Sequence, residues 1–486
     1  MSSHVLAIDE GGTGVRAHVF DHAGHQVAAA YAEIALAFPH SGWVEHDASA
    51  IWDRTTDVVE RALADAGITG QDLHAIGLAN QRASVVVWDA DTGEPIYPAI
   101  GWQDLRTVER SNDLARRGYM IVPNHSATKF AWIVDEVPGA RAKADAGRLR
   151  FGTFDTWLAW KLSRGAVYVT DPSNACCTGL YDYFSNRWDT SVMEVLGLPA
   201  ESFPTIVATS AVAGETASAI VGANVPLAAR AGDQQAAMFG ELRLEAGMTK
   251  ISYGTAAMMD LNVGGTLKLS PGGAFPLVLW QLGDTLTYCL EASVVTAGAA
   301  IQWLRDGLAI IDTPADCDTL ATSIPDTGGV WCVPAFQGLG QPHLNEGARA
   351  LIGGLSRGTT RAHIVRAVLE GIASRCSEIL EVLRADAAPV EIDVLRVDGG
   401  AARSDFLMQH QADLAGVPLE RAAVLDAASL GAGYLAGLAT GFWNSTDELQ
   451  TAWRCERVFE PRTSADERAA LLARWQRMVE HTRSQP

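Results

Sequence analysis

Apolar residues at the start of the chain fall in short runs broken by glycine. HVLAIDE (4–10) and GVRAHVFD (14–21) are β-leaning and joined by a glycine-rich GGTG, and DHAG then turns the chain into HQVAAAYAE. Three such runs with short turns predict an antiparallel meander. In DASAIWDRTTDVVERALADAG (47–67) the apolar positions move to helical spacing and stop at a glycine, which predicts an amphipathic helix. LHAIGLAN (73–80) reads as a buried strand. SVVVWDADTGEPIY (84–97) reads as a strand ending in an Asp-Thr-Gly turn.

A similar grammar restarts after about residue 242. MTKISYGTAAMMDLN (248–262) repeats the opening hairpin, again with Gly-Thr at its turn. Helical spacing runs through 361–386, VLRVDGG (394–400) reads as a strand, and helices are expected from Ser404 to Ala415 and over the Gly-Ala-rich 427–441. No short-period repeat is present, so the chain is two related halves and not a solenoid. The expected domains are 1–242 and 243–486, both α/β.

A length of 486 residues exceeds one hydrophobic core and suits two enlarged domains. With 48% hydrophobic and 19% charged residues, the composition is that of a globular enzyme and excludes extensive disorder. The formal net charge of −20 repels nucleic acid and anionic membrane, and no Lys/Arg-rich run offsets it. An anionic ligand would need local backbone N–H groups, an arginine or a metal ion. Seven scattered cysteines, with Cys176-Cys177 the one close pair, form no disulfide framework. The opening MSSHVLAIDE has acids inside its apolar run and is no signal peptide, and no stretch is long enough to span a membrane. The expectation is a cytoplasmic protein.

The chemistry concentrates in a few places. DEGGTG (9–14) can turn main-chain N–H groups toward an anion, with Thr13 adding a hydroxyl. Alone it is weak, since a hairpin turn explains it as well. It is neither a P-loop nor a dinucleotide fingerprint, because it joins two strands and no Gly-Lys-Ser/Thr follows. Asp9, closing a strand just before this loop, is either a turn cap or a carboxylate for hydrated Mg²⁺. Gly254-Thr255 and DGGAARS (398–404) are two more phosphate-binding candidates, and three such loops over both halves suggest a nucleotide in a cleft between domains. In RAGDQQAAMFG (230–240), Asp233 and Gln234 stand among small and apolar residues, where a carboxylate is costly unless paired or used. The histidines show no HExxH or paired metal spacing, and most tryptophans read as core or wall.

These stretches resemble the FGGY carbohydrate kinases, and within that family most resemble the glycerol kinases. The resemblance is carried by GLANQRASVVVWDADTGEPIYPAIGWQDLRT (77–107), FGTFDTWLAWKL (151–162), AGDQQAAMFG (231–240), AGAAIQWLRD (297–306), VPAFQGLGQPH (333–343), RAVLEGIA (366–373) and LRVDGGAARSDFLMQ (395–409). It runs in order from about residue 4 to 460. It implies two actin-like, ribonuclease H-like domains with ATP and a polyol or sugar meeting in the cleft. By the same resemblance Asp9, and Asp233 with it, would hold Mg²⁺. Thr13, Gly14 and Arg16 would meet the nucleotide phosphates, and Thr255, Gly298, Gln302, Gly400 and Ser404 would lie along ATP. Arg82, Trp102, Asp233 and Gln234 match the polyol site, with Asp233 the general base. A homodimer or homotetramer is expected by analogy.

Departures cluster at the acceptor end. Glycerol kinases place Glu after the Arg of NQR, where this chain has Ala83. Their PYFS reads PNHS here, giving Asn124 and His125, and the pocket Phe after the second Gly-Thr turn is Met258. Ser404 stands where they usually have Asn. VGANVPLAARAGD (221–233) lacks the Thr-Arg pair by which some bacterial glycerol kinases grip fructose bisphosphate. Two rivals to a polyol kinase are a regulatory protein of the same fold without activity and an ATPase of the actin or chaperone type. Retention of Asp233 speaks against the first, and Arg82 with Asp233-Gln234 against the second. A kinase for a ketose such as xylulose or ribulose remains the alternative within the family.

Overall fold

The computed structural model describes residues 3–484, so residues 1–2 and 485–486 at the ends of the two expected domains lie outside the described residues. Two compact units emerge. The first comprises residues 1–242 with two later segments, 278–286 and 428–452; the second holds 243–277, 287–427 and 453–486.

In the first unit the hairpin strands His4–Gly11, Gly14–Asp21 and Gln26–Glu33 form the expected antiparallel meander. Leu73–Asn80 adds in parallel to His4–Gly11, and Pro226–Gly232 adds in parallel to Leu73–Asn80. Ser210–Glu215 then runs antiparallel to Pro226–Gly232. The helix Ala48–Ala66 covers the meander. Asp47 caps its first N–H groups, and Gly67 ends it in the left-handed region at φ +67, which glycine adopts without strain. Its buried face (Ile51, Val58, Val59, Ala62) closes the main core with Leu6, Ile8 and Val19.

The second unit repeats this plan. Thr249–Tyr253, Ala257–Gly264 and Thr285–Val294 (residues 287–294 of which lie in this unit) are the antiparallel meander. Leu395–Asp398 and Leu419–Ala422 follow in parallel, and Cys455–Phe459 is antiparallel on the edge. The meander and the two parallel strands that follow it recur in the same order in both units, which accounts for the repeated grammar of the sequence.

The long insertion between Leu73–Asn80 and Pro226–Gly232 builds a second core of its own. It is centred on Phe130, Phe151 and Phe203, whose rings lie 4.9–5.6 Å apart. Val86–Asp89 pairs with Leu149–Gly152 here, so the run at 84–97 belongs to this insertion and not to the main sheet.

Residues 428–440 of the helix Ala427–Thr440 lie against the helix Asp233–Gly240. A Cβ at Gly431 would stand 1.7 Å from the Ala236 carbonyl oxygen, backbone against backbone, so only glycine fits. Gly431→Ala is therefore expected to cost about 1–3 kcal/mol in a denaturant titration, as overpacking does. A cost under about 0.5 kcal/mol would mean that the helices part freely.

Candidate active site

Three adjacent parallel strands of the first unit end side by side. Asp9↔Ala79 and Glu10↔Asn80 are in register on one side of Leu73–Asn80, and Gly232↔Asn80 on the other. Asp9, Arg82 and Asp233 therefore emerge from neighbouring carboxyl ends, where open α/β sheets place ligands. Asp233 opens the helix Asp233–Gly240, where the helix dipole favours a carboxylate. Arg82 Nε donates to its Oδ1 at 3.1 Å and the Gln234 N–H to the same oxygen at 2.7 Å. A Cβ at Gly232 would stand 2.5 Å from Arg82 Cδ, so this glycine lets the guanidinium reach the carboxylate. The Arg82–Asp233 pair keeps partial access, with side-chain exposures of 13% and 31%.

The Gly12-Thr13 turn joins the first two strands, and Thr13 is exposed there. Arg16 sits opposite Asp9 in register with Nη1 3.8 Å from Oδ2, and its guanidinium lies over the Tyr31 ring. A Cβ at Gly14 would stand 2.2 Å from Tyr31 Cε2, so this glycine leaves room for that same ring. Beneath the loop, Glu10 is fully buried. Burial, with the Asp9 and Asp233 carboxylates nearby, pushes its carboxyl well above the usual range. Gln81 Nε2 donates to Glu10 Oε1 at 2.8 Å, Ser84 Oγ to Gln81 Oε1 at 2.9 Å, and the Trp102 N–H to Ser84 Oγ at 3.0 Å. This chain of bonds runs from the glycine loop to Trp102, a residue that is 40% exposed.

Ala83 is buried and has φ +62, a left-handed conformation that costs a non-glycine residue about 1–2 kcal/mol. Ser126 Oγ fixes it by donating to the Ala83 carbonyl at 3.0 Å. Asn124 is exposed. His125 turns inward, its Nδ1 accepting from the Val122 N–H at 3.3 Å and packing on Gly179. Burial, helped by the Lys129 charge, lowers its pKa to about 4, so the ring is neutral at pH 7.

Sequence reasoning missed several residues here. The segment carrying Trp102 is held by Arg106, which bonds Asp104 and Glu45 and lies over the Trp43 and Trp132 rings at 3.7 and 4.6 Å. Lys129 and Cys177 are two more. The Cys177 thiol is 3.9 Å from Arg82 Nη1, and its hydrogen bond with Cys176 heads the influences lowering its pKa. GWQDLRT and SNACCT carry these residues, but only the fold shows what each one touches.

In the second unit, Gly254-Thr255 turns between the first two strands. The Ala297 and Ala299 N–H groups donate to the Thr255 carbonyl at 3.0 and 3.1 Å, and the Gly298 N–H to the Gly254 carbonyl at 3.0 Å. A Cβ at Gly298 would lie 2.5 Å from that last oxygen. Thr255 and Gly298 are thus brought into direct contact, with Gln302 exposed one turn along the helix Gly298–Asp306. Gly399 packs on the Tyr253 backbone, which brings Gly400 next to the same turn, and no atom would crowd a Cβ at Gly400. Ser404 caps the helix Asp405–Ala415 by accepting from the Leu407 N–H at 3.1 Å, and its hydroxyl also donates to Asp318. That hydroxyl is already engaged, in line with its departure from the usual Asn. Met258, the one expected acceptor residue in this unit, lies half-buried on Ala257–Gly264 opposite Ser252 and Ser293.

Among the described residues, no group of three or more His, Cys, Asp or Glu is arranged to hold a metal, and no helix is long and apolar enough to cross a membrane.

Comparison with known proteins places these loops in context. Residues 4–240 match the N-terminal domain of the FGGY family of carbohydrate kinases and residues 250–440 its C-terminal domain. The chain is 44% identical to glycerol kinase of Petrotoga mobilis over 494 residues, covering 100% of this chain and 99% of the relative. It is 45% identical to glycerol kinase of Symbiobacterium thermophilum over 490 residues, covering 99% and 98%. A crystal structure of Plasmodium falciparum glycerol kinase with ADP superposes with a TM-score of 0.92 at 29% identity, covering 99% of each chain. Xylulose kinase of Lactobacillus acidophilus, at 20% identity and a TM-score of 0.87 over 99% of each chain, shares the fold.

Proposed function

Because the chain belongs to the FGGY family of carbohydrate kinases, enzymes that are phosphotransferases, we propose that it moves the γ-phosphoryl group of ATP to a primary hydroxyl of a small polyol, with Asp233 as general base. The observation that carries this reading is the Arg82–Asp233 pair at the carboxyl ends of adjacent strands, one strand away from Asp9 and the glycine turn. An alcohol is a poor nucleophile at neutral pH. A carboxylate fixed by Arg82 and the Gln234 N–H can take its proton as the oxygen–phosphorus bond forms and the bond to the β-phosphate oxygen breaks. Gln234 can hold a neighbouring hydroxyl, and the exposed Trp102 face offers an apolar wall to the carbon chain.

On the donor side, Thr13, Gly14 and Arg16 would meet the phosphates, while Thr255, Gly298, Gln302, Gly400 and Ser404 would lie along ATP. The donor set fits hydrated Mg²⁺, which takes one or two carboxylates and keeps several waters. Asp9 and Asp233, both felt by Glu10, are the residues that would hold it. When bound, the ion would offset the charge of the β- and γ-phosphates.

The acceptor pocket supports a different polyol from glycerol, such as a four- or five-carbon alditol or a related ketose. With Ala83 in place of Glu, a charged hydrogen bond worth roughly 1.5–3 kcal/mol is missing. Asn124 is the exposed polar group that further hydroxyls can use, and Met258 replaces a ring. The test is a coupled ADP assay comparing kcat/KM for glycerol, erythritol, threitol, xylitol, ribitol and xylulose. The expected result is a longer acceptor ahead of glycerol, with Ala83→Glu raising glycerol kcat/KM by about tenfold to a hundredfold. Glycerol winning by a wide margin, with no gain from Ala83→Glu, would sink the altered specificity while leaving the kinase reading intact.

A further inference from the structure

We propose that Lys129 is a positioning residue of the acceptor site, its ammonium tying the Trp102 loop to the Asn124 loop and so setting the width of the polyol pocket. This rests on the reading of Trp102 and Asn124 as acceptor residues.

Lys129 is the third residue of the helix Ala127–Glu136 and is 0% exposed. Its Nζ donates to the Trp102 carbonyl at 3.0 Å and to the Asn124 carbonyl at 3.0 Å. Among the described residues no carboxylate comes within ion-pair distance of it. A lysine is almost never fully buried without a partner, and the start of a helix is an unfavourable place for a cation. Burial lowers its pKa to about 7, with Asp104 opposing and Arg106 reinforcing that shift. An apolar side chain of similar length would fill the volume without this cost. What it could not do is hold two loop carbonyls on one atom.

The rest of the helix start makes the same kind of contact. Ser126 Oγ binds the Ala83 carbonyl at 3.0 Å, and Thr128 Oγ1 pairs with Thr107 Oγ1 at 2.8 Å and Ser111 Oγ at 3.2 Å. Three polar residues in four positions fasten the segments around 83, 102–107 and 124. The loops that carry Ala83, Trp102 and Asn124 are therefore registered against one rigid element, and Lys129 bridges two of them.

The test is a split of steady-state constants in Lys129→Met. The KM for the preferred polyol is expected to rise about tenfold or more, since small misplacements of a bound substrate are costly, with kcat falling much less and the KM for ATP unchanged. Discrimination between three- and five-carbon polyols should narrow, and Lys129→Arg, which keeps charge and donors, should recover most of it. A merely structural lysine gives another outcome: fewer active molecules, kcat lowered in proportion, both KM values unmoved. That result overturns the proposal, as does a parallel rise in both KM values. Should the methionine variant fail to fold, Lys129→Gln is measured in its place, and failure of both to fold makes Lys129 a stability element and ends the proposal. Wild-type protein that turns over no polyol defeats the functional reading first, and this inference with it.

Discussion

Asp233→Asn is expected to lower kcat by about 10²–10⁴-fold while leaving ATP binding nearly intact, the loss that follows removal of a general base. The geometry makes the substitution clean. Arg82 Nε and the Gln234 N–H both donate to Oδ1, and an asparagine oxygen can accept the same two bonds. Both of those bonds fall on Oδ1, and in the proposed mechanism Oδ2 takes the hydroxyl proton. The amide that replaces it donates and cannot accept that proton. Polyol-dependent ADP release measures the first quantity, and calorimetric titration with ATP the second. Turnover near the wild-type value would remove Asp233 from the chemistry, and ATP binding lost along with turnover would make its role structural.

Asp233 also shows how far the sequence could be read. Hairpins are local, so the meander at 4–33 and the hairpin at 248–262 stand out in the spacing of apolar residues and in the Gly-Thr turns, whereas the third strand Thr285–Val294 did not. The helix 47–67 announces both its ends with Asp and Gly. Pro226–Gly232, the strand that delivers Asp233, was not legible. PLAARAG holds no β-branched residue, and its strand partner Leu73–Asn80 is far away in sequence. Its placement is tertiary. Arg82 and Asp233 could be brought to one site only through the family resemblance, and their 3.1 Å contact is a property of the fold. Lys129, Arg106 and Cys177 were missed for the same reason. A buried charge looks like a surface charge until its neighbours are known. Ser404 was legible as a departure, whereas its bonds to Asp318 and Leu407 were not.

Arg106→Met is the substitution expected to cost most stability, about 3–5 kcal/mol, the range for removing one partner of a buried ion pair. The Arg106 side chain is 0% exposed, and so is that of Asp104; Glu45 is 9% exposed. The guanidinium gives 2.9 and 2.8 Å bonds to the two oxygens of Asp104 and a 2.8 Å bond to Glu45 Oε1. Burial alone would lower the arginine pKa, and these bonds raise it instead, so the cation is fixed. Methionine fills much of the space between Trp43 and Trp132 but leaves two carboxylates without the guanidinium that bridges them. Asp104 Oδ2 would keep its bond from the Val44 N–H, which cannot neutralise it. Lysine restores charge but not the planar fork that meets both carboxylates and stacks on the indoles, so Arg106→Lys should recover only part of the loss. Because Asp104 and Arg106 lie in the same short segment as Trp102, polyol KM should rise in any folded variant while the KM for ATP stays put. Denaturant midpoints at pH 7 for wild type, methionine and lysine variants give the energies. A methionine variant within about 1 kcal/mol of wild type would place this cluster among ion pairs that contribute little.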